Sequence, residues 1–124
     1  MRRERLFEYC GSRPGASEQY PFGDGIAVFK VGGRIFALCS LEREPLSVSL
    51  KCDPLLAQAL RASHPAVRPG YHLNKRHWNT VTLDGSIGDD EVEEWIDHSY
   101  ELVVAKLRRS ERAALPDDGT ADIG

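Results

Sequence analysis

Ile26-Ala27-Val28-Phe29-Lys30-Val31-Gly32-Gly33-Arg34-Ile35-Phe36-Ala37-Leu38-Cys39 reads as a β-hairpin. Two runs rich in β-branched and aromatic residues flank two glycines, and both turn positions can take positive φ without a Cβ penalty. Downstream, residues 41–45 form a turn that leads into residues 46–51. There Leu46, Val48 and Leu50 alternate with Ser47, Ser49 and Lys51, the pattern of a strand with one buried and one polar face. Asp53 then serves as an N-cap with Pro54 at the first helical position. That helix is predicted to run to about residue 63, with Leu55, Leu56, Ala59 and Leu60 inward and Pro65 closing it. Upstream, residues 2–11 suit a short helix whose apolar stripe is Leu6, Phe7 and Cys10, and residues 18–23 read as a loop.

Residues 78–83 resume a strand, and Asp84-Gly85 turns the chain. Ser86 with Asp89 suggests a capping box for the last helix. That helix shows Val92, Trp95, Ile96, Ser99, Leu102, Val103 and Leu107 on one face, and a basic end at Lys106, Arg108 and Arg109. Several sequential strands with few helices indicate α+β: a twisted antiparallel sheet with helices packed on one side. The domain spans residues 1–108, and the small, polar residues 109–124 are predicted to form a frayed tail.

At 124 residues the chain suits one domain, and 41% hydrophobic with 28% charged residues is ordinary for a globular protein. A net charge of −3 argues against a nucleic-acid coat, which would be basic throughout. Without an apolar span or a signal-like start, the expectation is a cytoplasmic, more often monomeric protein with no membrane contact. Cys10, Cys39 and Cys52 are odd in number and sit in apolar patterns, so they read as reduced, buried thiols.

Charge is sorted along the sequence. Residues 61–83 contain four basic residues and no acid, whereas residues 84–101 contain eight acids and no Lys or Arg. Within the basic block lies Pro69-Gly70-Tyr71-His72-Leu73-Asn74-Lys75-Arg76-His77-Trp78-Asn79-Thr80. It offers two cations, four rings and two carboxamides to an anionic partner.

Several segments together resemble one known family, the MmcQ/YjbR family. They are Tyr20-Pro21-Phe22-Gly23, the hairpin, Leu50-Lys51-Cys52-Asp53-Pro54, residues 69–81 and Ile96-Asp97-His98-Ser99-Tyr100. The resemblance covers roughly residues 3 to 108. It implies a small bacterial α+β domain with a frataxin-like (CyaY-like) fold and the double wing motif associated with DNA binding.

Function follows from the loop and the resemblance together. DNA is the expected partner, bound weakly and salt-sensitively by a non-enzymatic protein. Lys75 and Arg76 would meet phosphates, with Lys51 and Arg68 beside them. Asn74 and Asn79 would bond bases or backbone, and Tyr71, His72 and His77 would stack or donate. About four phosphate contacts give a slope of log K against log salt of roughly −3.5. The alternative is a small anionic ligand or a protein partner held by the same loop. No cofactor is implied. No Cys or carboxylate lies at zinc-ligand spacing, and the acids at 89–94 suit solvated surface at a helix start better than a metal site. No phosphate-cradling or nucleophile motif is present.

Overall fold

The computed structural model describes residues 1–70 and 73–116. In chain order the elements are α1 (Arg3–Gly11), β1 (Ser17–Gln19), β2 (Ile26–Val31), β3 (Arg34–Ser40), β4 (Ser47–Lys51), α2 (Pro54–Ser63), β5 (Val67–Pro69), β6 (Trp78–Thr82), α3 (Asp89–Val104) and α4 (Arg109–Ala113). The strands form one six-stranded sheet, β1-β2-β3-β4-β6-β5, with every neighbouring pair antiparallel. The α+β architecture expected from the sequence is the one observed. At the hairpin, Gly32 and Gly33 have φ of 58° and 79°. Gly32 is doubly constrained, because a Cβ there would also lie 2.6 Å from Leu107 Cδ2.

Register sorts the side chains into two faces. Ala27, Cys39, Val48, Val81 and Val67 are cross-strand partners in one row, and all are buried. They join Leu6 and Cys10 of α1 and Val92, Ile96 and Val103 of α3 in a single core. Phe29 stands at its centre. Its ring meets Phe7 edge-on at 5.4 Å and Phe36 at 6.4 Å, and Phe36 meets Tyr100 at 5.4 Å. The β2–β3 register shifts between Phe29 and Lys30. Buried Ser99 fastens this irregularity: its Oγ donates to the Phe36 carbonyl (2.6 Å) and accepts the Lys51 N–H (2.9 Å).

The helical layer is held together by charge. Arg5 reaches Glu93 (2.9 Å) and Asp89 (3.1 Å), so part of the acidic ridge is a clamp onto α1. Tyr9 donates to Asp97 (2.6 Å), which also pairs with Arg13 (3.0 Å). Burial, followed by the Asp97 hydrogen bond, pushes the Tyr9 phenol up to about 12. The protonated form is thereby favoured in the folded state. Its contribution is fully present below about pH 10, the ordinary tyrosine value, and is lost as pH rises through about 12. Thermal melts of Tyr9→Phe should therefore show a shallower alkaline decline than the wild type. An unchanged decline would place the alkaline sensitivity elsewhere.

Four expectations are corrected. In α2 the fully buried residue is Ala57, while Leu55 is 79% exposed. The helix lies close against the sheet through that small side chain, and its inward stripe continues to half-buried Leu60. Ser86 does not cap α3; it bonds Asp84 in the preceding turn, and Gly88 holds the N-cap position. The last long helix stops at Val104 rather than running on to a basic end. Residues 109–113 then form α4, where Glu111 accepts the Arg108 N–H, and Leu115 packs on the core. The three-residue β1 overlaps the start of the segment that reads as a loop, since strands this short carry no periodicity.

Candidate functional site

The sheet's other face is built around a second cross-strand row: Val28, Leu38, Ser49, Thr80 and Arg68. It faces away from the core row, yet Val28, Ser49 and Thr80 are at most 5% exposed. Ser49 and Thr80 belong to the floor of a groove of about 670 Å³. Ser40, Ser47, Ser49 and Thr80 give this floor a band of hydroxyls, and the Ser49 and Thr80 hydroxyls bond each other at 2.8 Å. Ile26 and Leu38 add apolar surface, and Phe22, 63% exposed, stands at the β2 side. Arg43, Arg68 and Lys75 contribute cationic side chains to the lining. The volume is that of a site for a small organic ligand.

One guanidinium positions the loop that carries Lys75. Arg61, from the last turn of α2, donates through Nε to Asn79 Oδ1 (2.7 Å) and through Nη2 to the carbonyl oxygens of Trp78 (3.2 Å) and Lys75. Asn79 passes the connection back to α2 by donating to the Ala57 carbonyl at 3.4 Å. At the loop's base, the Gly70 N–H donates to the Trp78 carbonyl at 2.8 Å. A Cβ on Gly70 would lie 2.7 Å from Trp78 Cβ, so only glycine permits this approach. At the tip, Asn74 Oδ1 accepts the Arg76 N–H (2.9 Å), while Lys75 Nζ reaches the Gly70 carbonyl at 3.4 Å.

The structure thus brings Arg68 and Lys75 together in one lining. Asn74 and Arg76 are exposed at the tip, outside it. His77 is half-buried, and its carbonyl accepts the Cys52 N–H (2.7 Å). Lys51 is also outside the groove. Burial, then Lys106 and Arg34, lowers its pKa, marking a separate concentration of positive charge. Asn79 must be removed from the surface set, because it is 3% exposed and both ends of its amide are spent on α2. The expectations at Tyr71 and His72 lie outside the described residues.

Sequence reasoning missed Phe22, Arg43 and the hydroxyl floor. The Ser47/Ser49 alternation was visible, but only the register shows that Thr80 and Arg68 continue the row. Among the described residues, the ion pairs engage Arg5, Arg13, His64 and the N-terminal amine, and none engages Arg68, Lys75 or Arg76.

Other features fit scaffolding. All three cysteines are buried free thiols, and burial raises Cys10 to about 12 and Cys52 to about 11. His98 Nε2 accepts the Asp53 N–H at 3.3 Å. The apolar cleft lined by Leu56, Leu60 and Trp95 holds about 10 Å³, no more than one water. Among the described residues, no group of three or more His, Cys, Asp or Glu could hold a metal ion, and no helix is long and apolar enough to cross a membrane.

The molecule is thus a small α+β domain whose open sheet face forms a groove rimmed by cations. The chain belongs to the YjbR family, whose model matches residues 11–102. It is 41% identical to the uncharacterized protein YjbR of Escherichia coli K12 over 116 residues, covering 93% of this chain and 98% of that one. Uncharacterized protein YbdF of Escherichia coli O157:H7 is 37% identical over 93 residues, 75% of this chain and 76% of its own. Among solved structures, a Deinococcus radiodurans protein of domain DUF419 superposes with a TM-score of 0.86 at 43% identity, covering 92% of this chain and 88% of that one. A Pseudomonas syringae protein superposes with a TM-score of 0.72 at 28% identity, covering 83% and 99%.

Proposed function

We propose that the protein is a non-enzymatic binding module that takes a small anionic ligand into the groove on the open face of its sheet. The observation that carries this reading is the convergence of Arg68 and Lys75 over a floor of hydroxyls, with apolar surface beside them. Neither cation has a carboxylate partner among the described residues, so their potential is available to a ligand. A hydrogen bond to a charged group contributes about 1.5–3 kcal/mol, so losing both should weaken binding by two orders of magnitude or more.

The fluorescent sulfonate 1-anilinonaphthalene-8-sulfonate tests this, since it joins an aromatic body to one anionic head. The wild type is expected to enhance its emission, and inorganic pyrophosphate should reverse part of that enhancement. The double variant Arg68→Glu, Lys75→Glu is expected to lose the effect while its melting temperature stays close to the wild type. Enhancement that survives in the double variant would contradict the reading.

Duplex DNA is the second reading, favoured by the exposed tip at Asn74, Lys75 and Arg76. Arg76→Glu separates the two. It lies outside the groove lining, so sulfonate binding should persist, whereas a wing that enters a DNA groove would lose duplex retardation.

A further inference from the structure

Building on the groove reading, we propose that the ligand is a nucleoside phosphate, either free or as a unit of a single-stranded nucleic acid. The first reason is length. The lining draws on Ile26 of β2, Leu38 of β3, Ser49 of β4, Thr80 of β6 and Arg68 of β5, so the groove crosses five adjacent strands. Four inter-strand spacings of about 4.8 Å make roughly 19 Å. An inorganic anion or a simple dicarboxylate would fill a small part of that, so the occupant has a body as well as a charge.

Charge supplies the second reason. Among the described residues the lining includes no Asp or Glu, and Arg68 and Lys75 both contribute to the β5 side. A single carboxylate would leave one of these cations uncompensated. A phosphate monoester carries about −1.5 to −2 at neutral pH and offers three acceptor oxygens, which matches the pair.

The floor between the two ends is the third. It is uncharged and mixed: Ile26 and Leu38 supply apolar surface, and beside them lie the hydroxyls of Ser40, Ser47, Ser49 and Thr80. Ser49 and Thr80 bond each other, so half-buried Ser40 is the hydroxyl left to bond a ribose, whose carbon atoms would lie on Ile26 and Leu38. At the far side, Phe22 keeps 63% of its surface exposed although it lines a concavity. An aromatic ring left open beside this floor is a stacking platform, and every nucleobase has a face to lay on it. Phosphate on the β5 side, sugar over the floor and base against Phe22 use the whole length.

Isothermal titration of the full chain with adenosine 5′-monophosphate, adenosine, inorganic phosphate and a single-stranded oligothymidylate is the test. Adenosine 5′-monophosphate is expected to bind at least tenfold more tightly than either adenosine or inorganic phosphate. Phe22→Ala should weaken it about tenfold and leave phosphate binding unchanged; Phe22 is exposed, so folding should be unaffected. Tighter binding of the oligothymidylate than of the mononucleotide, with the same dependence on Phe22, would identify a strand as the source, and the reverse a free nucleotide. Adenosine 5′-monophosphate no tighter than phosphate, or indifferent to Phe22, would overturn the nucleoside assignment. If sulfonate binding still depended on Arg68 and Lys75, the anionic groove itself would stand. Loss of both results would remove the groove reading as well.

Discussion

Phe29→Ala is expected to lower stability by about 3–5 kcal/mol, the largest effect of any single truncation considered for this chain. The ring is fully buried and stands between Phe7 of α1 and Phe36 of β3, so it joins the helical layer to the sheet. Its loss removes apolar contact and leaves a cavity that the stiff ladders on either side cannot close. The register irregularity next to it makes collapse harder still, because Ser99 holds the Phe36 and Lys51 backbones in place. For a domain of this size the midpoint should fall by about 10–20 °C. A Phe29→Leu variant should recover much of the loss, since most of the volume returns. A midpoint within a few degrees of wild type in Phe29→Ala would show that this ring is not the centre of the core.

The second large effect is expected from Arg61→Ala, which should act on stability and on binding together. Removing the guanidinium leaves the buried Asn79 carboxamide oxygen without its donor, and frees the Trp78 and Lys75 carbonyls. A buried polar group left unsatisfied costs about 1–3 kcal/mol, so chemical denaturation should shift by that amount. The loop that carries Lys75 would also lose its tie to α2. Sulfonate affinity should therefore drop about tenfold, although Arg61 is not in the groove lining. Arg61→Lys keeps the charge but cannot supply the fork of donors, and is expected to behave like the alanine variant. A stability loss with unchanged affinity would show that the loop holds its place without this contact.

Those two residues also show what the sequence reveals and what it withholds. Phe29 is legible because it sits in a strand pattern bounded by a two-glycine turn, a local feature that needs no partner. Val48, Ile96 and Val103 are legible in the same way, through period two or period 3.6. Arg61 looks like one more surface cation on an amphipathic helix. Its role depends on β6 passing under the end of α2, which no local pattern encodes. The same limit misplaces Asn79, which looks like a polar group on a basic loop and is buried. Leu55 fails for a related reason: the helical stripe is real, but the side chain fully turned inward is Ala57. The charge segregation was visible along the chain, and the absence of carboxylates among the described lining residues agrees with it. The groove itself was not visible, because its floor is assembled from five strands whose adjacency only the register gives.

An NMR titration of ¹⁵N-labelled protein with 1-anilinonaphthalene-8-sulfonate tests the groove most directly, since it reports where the anion sits. The expected result is saturable shifts at the backbone amides of Leu38, Ser49, Thr80 and Arg68, which form one row across the sheet, and no such shifts in Arg68→Glu, Lys75→Glu. Shifts confined to Asn74 and Arg76 at the loop tip, or to Leu56 and Trp95 between α2 and α3, would contradict it.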